Sequence, residues 1–105
     1  MPSKQYEKDI QNSILRLLKK HNIYCWRNNV GVAVIQGRVM RFGKAGSSDI
    51  FCFHKGRFVA IEVKTDRGKL TKAQKEFLDT VNKQKYCLGF VARSKEDVIK
   101  HLNLE

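Results

Sequence analysis

The chain has 105 residues, with 21 Lys plus Arg against 10 Asp plus Glu and a formal charge of +11. That length makes one domain, expected over residues 1–105, and a 42% hydrophobic content is enough for a packed core and excludes wholesale disorder. The excess positive charge points to a polyanionic partner, either nucleic acid or an anionic membrane surface. No apolar run approaches the ~18 residues of a membrane span, and the N-terminal Met1-Pro2-Ser3-Lys4 leads into no signal-peptide apolar region. A membrane partner is therefore not expected, and the cytoplasm is the expected compartment.

Ser3 can cap a first helix running to about Lys20, with Tyr6, Ile10, Ile14, Leu17 and Leu18 at helical spacing. Residues 23–27 read as a strand, and Val30–Ile35 with Arg38–Phe42 as a β-ribbon turning at Gln36-Gly37. A glycine-bearing loop over residues 43–48 precedes two strand-like runs, Asp49–Phe53 and Phe58–Lys64. After a polar loop, Thr71 starts a helix with a Thr-x-x-Gln capping box to Gln74. Cys87–Ala92 reads as a buried strand, and a last short helix opens at Ser94 and ends near Leu102. The order α-β-β-β-β-β-α-β-α predicts an α/β (α+β) fold with a central mixed sheet flanked by helices. Cys25, Cys52 and Cys87 are odd in number and far apart, with no His at finger spacing, so free thiols are expected rather than disulfides or a zinc site.

The hairpin around Lys55-Gly56 is the most informative stretch. A two-residue turn makes cross-strand partners sum to 111, which sets Asp49 opposite Glu62. Two carboxylates so placed have Cβ atoms ~4.5–5.5 Å apart and repel. Apolar residues on both faces of the hairpin predict central strands covered on both sides. Acids at the end of such strands need protonation, cationic side chains or a bound cation, and hard oxygens from two strands suit Mg²⁺ or Mn²⁺. The strand period puts Lys64 on the same face as Glu62, where an ammonium can orient water or stabilise a phosphoryl oxygen. Glu7, on the edge of the first helix's apolar stripe, leans toward the same sheet. A purely structural Asp–Lys–Glu ion-pair cluster remains the alternative. No acid occurs between Ile10 and Ser48, and Arg38, Arg41 and Lys44 before the site and Arg67, Lys69 and Lys72 after it can hold phosphates.

Asp49 followed by Glu62-Val63-Lys64 resembles the D…(D/E)-x-K core of the PD-(D/E)xK nuclease superfamily. Gly46-Ser47-Ser48-Asp49-Ile50 and Glu62-Val63-Lys64 leading to Gln74 are similar to its VRR-NUC branch. Val91-Ala92-Arg93 resembles that branch's V-x-R segment, with alanine where the first arginine is expected. The resemblance implies a Mg²⁺-dependent DNA endonuclease, Mn²⁺ substituting, with no small-molecule cofactor. It implies metal held by Asp49, Glu62 and the Val63 carbonyl, water positioned by Lys64, and catalytic support from Glu7 and Gln74. Gln74 is equally explained by its capping box. Branched DNA, a Holliday junction among others, is the implied substrate, and a homodimer the implied assembly. A restriction or repair nuclease on ordinary duplex, and a non-catalytic nucleic-acid-binding module, are the competing readings.

Overall fold

The computed structural model describes residues 6–105: α1 (Glu7–Lys20), β1 (Cys25–Arg27), β2 (Gly31–Ile35), β3 (Arg38–Phe42), β4 (Ile50–His54), β5 (Arg57–Val63), α2 (Lys72–Asn82), β6 (Cys87–Ala92) and α3 (Lys95–Leu102). Ser3, the expected first cap, lies outside the described residues. α1 instead starts after Tyr6, whose extended backbone makes the N-cap without a side-chain bond. Glu7 and Asp9 sit at its positive end and Lys19 and Lys20 at its negative end, each favourable to the helix dipole. Its buried stripe is Ile10, Ile14 and Leu18, narrower than expected because Tyr6 is exposed and Leu17 only half-buried. The strand expected over residues 23–27 shortens at its start for a local reason. The Ile23 N–H closes the end of α1 by donating to the Leu18 carbonyl at 2.9 Å, so Ile23 belongs to the helix cap.

Four strands form a mixed sheet in the order β1-β4-β5-β6, antiparallel except for the β5–β6 pair joined through α2. The β4–β5 hairpin has the expected register, from His54↔Arg57 through Phe51↔Ala60 to Ile50↔Ile61. Its turn residues Lys55 and Gly56 both have positive φ, 50° and 78°, the two-residue geometry whose twist matches the strands. α2 lies close on the sheet at Gly89, where a Cβ would meet Leu78 at 3.0 Å. Asn82 at the end of α2 bonds both the N–H and C=O of Gly89, satisfying the edge strand β6.

The expectation that both faces of the hairpin are covered holds on one side only. Ile50, Cys52, Val59, Ile61 and Val63 pack with α1 and α3 residues such as Ile14, Val98 and Leu102 in one core. The opposite face has a single helix, α2, over β5 and β6. Toward β1 it stays open: Phe53 is 53% exposed, Trp26 37% and Tyr24 73%. Trp26 and Tyr24 are therefore surface rings, not core. The β2–β3 ribbon forms its own two-stranded sheet and packs barely on the rest of the chain. Val32, Val34, Ile35, Val39 and Met40 are exposed on it.

Burial raises the Cys25 thiol and lifts Cys52 to about 12, so these two are poor nucleophiles, and all three cysteines are free. No helix among the described residues is long and apolar enough to cross a membrane.

Candidate active site

The ladder pairing ends at Ile50↔Ile61. The Asp49 N–H, just before β4, donates to the Ile61 carbonyl at 3.1 Å, one residue off that register, which brings Asp49 beside Glu62. Asp49 Oδ2 accepts the Val63 N–H at 2.7 Å. Within a strand the N–H and C=O of one residue point to the same edge, so the Val63 carbonyl also faces the Asp49 side. Glu62 is 2% exposed, a carboxylate sunk between the sheet and the start of α2. Its Oε2 accepts from Gln74 Nε2 at 3.4 Å, while its Oε1 is buried with no partner among the described residues.

Burial, then the hydrogen bond and charge of Asp49, push the Glu62 carboxyl up to about 9; Lys64 opposes this and Glu7 adds to it. Without a cation the Glu62 carboxyl keeps its proton well above the ordinary carboxylate range. The ion-pair-cluster alternative loses its main support here. Among the described residues, the single ion pair within 4.0 Å joins Lys64 Nζ to Glu7 Oε1, and no ammonium or guanidinium comes that close to Asp49 or Glu62. Two opposed carboxylates, one orphaned buried oxygen and a backbone carbonyl on the same side make a hard-oxygen donor set that fits Mg²⁺ or Mn²⁺. No three His, Cys, Asp or Glu side chains converge among the described residues, and Glu7 pairs with Lys64. It reaches the acid pair through Lys64, and water would complete the coordination of an ion that keeps its waters readily.

Two readings of Gln74 are both satisfied. Its Oε1 accepts the Thr71 N–H at 2.9 Å and its N–H donates to Thr71 Oγ1 at 3.1 Å, completing the capping box. Its Nε2 is left for Glu62. The loop before Asp49 is pressed against this helix start. Gly46 has φ +85°, and a Cβ there would lie 2.8–2.9 Å from the Ala73 side chain and backbone, so glycine permits the approach.

Arg41, Lys44, Arg67, Lys69 and Lys72 are exposed: Lys44 in the loop before Asp49, Arg67 and Lys69 in the loop after Lys64, and Lys72 in the first turn of α2. Arg38 stands apart, at the outer end of the ribbon beside its turn. Two further residues organise the site. Arg93 donates to the carbonyls of Thr65, Asp66 and Gly68, clamping the loop that follows Lys64. Asn28 accepts no such clamp but makes one, donating from Nδ2 to Ser47 Oγ and the Ser48 carbonyl, while its N–H bonds the Asp49 carbonyl at 2.8 Å. Arg93 lay in a recognisable V-x-R segment; nothing in the spacing around Asn28 marks it.

A model of the VRR-NUC domain matches residues 5–96. The chain belongs to the VRR-NUC family. This is a nuclease-like family, and nucleic acid is the substrate such a domain implies. Among solved structures the chain is similar to a VRR_NUC domain protein, with a TM-score of 0.64 at 20% identity over 97% of this chain and 88% of that one. At that identity the likeness shows the fold, a mixed sheet flanked by helices. A search of curated proteins found no match. The alanine in this VRR-NUC domain's V-x-R segment is Ala92, fully buried opposite Val63 in the core under α1 and α3. An arginine with the same orientation would place an unpaired charge in that core.

Proposed function

We propose that this VRR-NUC domain is a divalent-metal-dependent DNA endonuclease that prefers branched DNA and works as a homodimer. The observation that carries the reading is the Asp49–Glu62 pair, Glu62 buried with an oxygen lacking a partner and Asp49 half-buried beside it, inside a surface otherwise rich in cations. Asp49, Glu62 and the Val63 carbonyl would hold Mg²⁺, or Mn²⁺ in its place. Bound there, the ion supplies Lewis-acid stabilisation of the phosphoryl oxygen and lowers the pKa of water. Lys64 Nζ, steadied by Glu7, donates a hydrogen bond to the attacking water or to the phosphoryl oxygen. The water oxygen bonds phosphorus as the water gives up a proton to solvent, one P–O ester bond breaks, and the leaving oxygen takes a proton from solvent. Gln74 holds the Glu62 carboxyl in line, and Arg41, Lys44, Arg67, Lys69 and Lys72 grip flanking phosphates, with Arg38 reaching further along the DNA.

The open aromatic strip supports the homodimer. Tyr24, Trp26, Phe51, Phe53 and Phe58 touch in a chain of ring contacts at 5.1–6.2 Å and carry no charge. Exposed rings on this scale, at 150–250 Å² for a whole ring, leave roughly 300 Å² of uncovered apolar surface, to which the ribbon adds. A second copy placing the same strip against it makes an isologous contact and presents two sites to paired strands.

The test is cleavage of plasmid, linear duplex, flap and four-way-junction DNA with Mg²⁺, Mn²⁺ or EDTA. Cutting should need metal, favour the branched substrates and vanish in Lys64→Ala and Asp49→Ala. Cutting that survives EDTA, or binding without cutting on every DNA, overturns the assignment; equal cutting of plain duplex overturns the branched preference. Sedimentation of Phe53→Lys should show a monomer where the parent is a dimer, and a monomeric parent removes the homodimer.

A further inference from the structure

Asp49 also forms one wall of a cleft of about 430 Å³ whose other residues the nuclease reading leaves without a role. Gln11 of α1, Arg27 at the end of β1, Asn28, Asn29 and Phe42 of the ribbon line it. The size is at the lower end of small-molecule sites (~300–1,000 Å³), room for one nucleotide and not for a duplex.

Its walls are set in place. The Arg27 guanidinium is tied to Asn12 Oδ1 on α1. Asn28 spends its Nδ2 on Ser47 and Ser48, which leaves Oδ1 as an acceptor. The Phe42 ring, 44% exposed, lies against Gly31, where a Cβ would come within 2.9 Å of it. The base of the ribbon closes on Asn29, because a Cβ at Gly43 would meet the Asn29 carbonyl at 2.6 Å. Apart from Asp49, none of these lining residues is acidic.

Amide groups that pair with base edges, one half-exposed ring for stacking and one arginine for phosphate are the chemistry that recognises an unstacked nucleotide. Water-filled grooves at loop junctions commonly carry amides, but this one combines them with an anchored cation and a braced ring beside the acid pair. We propose that the cleft holds a single unpaired nucleotide next to the phosphate at Asp49. The proposal rests on the nuclease reading for the position of that phosphate, and it gives the branched-DNA preference a physical source: a base already out of its stack enters without an unstacking cost.

Binding in EDTA separates the two readings. Fluorescence anisotropy would compare a paired duplex with the same duplex carrying one unpaired nucleotide. The parent should favour the second, and Phe42→Ala should reduce that preference roughly 5- to 150-fold, the range for losing one base-stacking ring. Phe42→Tyr should keep it. Gln11→Ala, on a half-buried helix position where alanine is a good helix former, should lower it a few-fold without touching the ribbon. No preference in the parent, or a preference unchanged in both Phe42→Ala and Gln11→Ala, overturns the cleft assignment. Preference without any metal-dependent cutting leaves the cleft standing and removes the nuclease; cutting without preference does the reverse.

Discussion

Under α1 and α3 the sheet presents Ile50, Cys52, Val59, Ile61 and Val63, every one of them 0–1% exposed. The alternate residues of the same two strands present Asp49, Phe51, Phe53, Phe58 and Glu62 to the other side, where α2 covers only part. A shift of one residue along the chain thus separates a dry core from a face that keeps an acid pair, open rings and the mouth of a cleft. The first face stabilises the fold. The second leaves polar and apolar groups unsatisfied, and each is a place where something else is expected to bind.

Substitutions on the two faces should therefore fail in opposite ways. Lys64→Ala or Asp49→Ala should lower cleavage by roughly 10²–10⁴-fold while thermal unfolding stays close to the parent, as expected when a group acts on the reacting phosphate. On the covered face, Ile14→Ala should cost about 2–5 kcal/mol by cavity formation, with cleavage per folded molecule preserved. Loss of activity and stability together in Asp49→Ala would make the acid pair a structural element and blur the comparison.

Gly46→Ala tests the join between the faces, since it combines a positive φ with a near-clash on Ala73. A cost of about 1–3 kcal/mol is expected, with lower activity because the first turn of α2 carries Gln74. Gln74→Glu should be milder in stability and sharper in function. The carboxylate still serves as the capping-box acceptor toward Thr71, but it loses the Nε2 donor and adds a third acid beside Glu62.

The last effect is on pH. The folded chain holds the Glu62 carboxyl near 9, against 4.5 for the ordinary group, so the native state keeps its proton longer than the unfolded one. In metal-free protein this contribution is complete below about 4.5 and is lost as pH rises through about 9. Urea unfolding of the parent should weaken across that window, by at most about 1.4 kcal/mol per pH unit for one proton. Glu62→Gln should flatten the curve.

The hairpin was legible because a two-residue turn at Lys55-Gly56 leaves one register consistent with the apolar alternation, and that register ends at Ile50↔Ile61 with Asp49 beside Glu62. The capping box at Thr71 was legible for the same local reason. Coverage was not. Phe51 and Phe53 are as apolar as Ile50 and Cys52, and only the tertiary placement of a single helix decides that one face stays open. The partners of Arg93 and Asn28 were also invisible, since each bonds a segment 19 to 28 residues distant. The pairing of Glu7 with Lys64 depends on side-chain reach that helical spacing does not give.

Calorimetric titration of Mn²⁺ into the parent and Glu62→Gln, near neutral pH and without DNA, tests the central claim most directly. The parent should bind the ion, and Glu62→Gln should not, although removing a buried acid makes the variant the harder of the two to melt. Mn²⁺ binding that is equal in the two proteins, or absent from the parent, would contradict a metal held by the opposed acids of the hairpin.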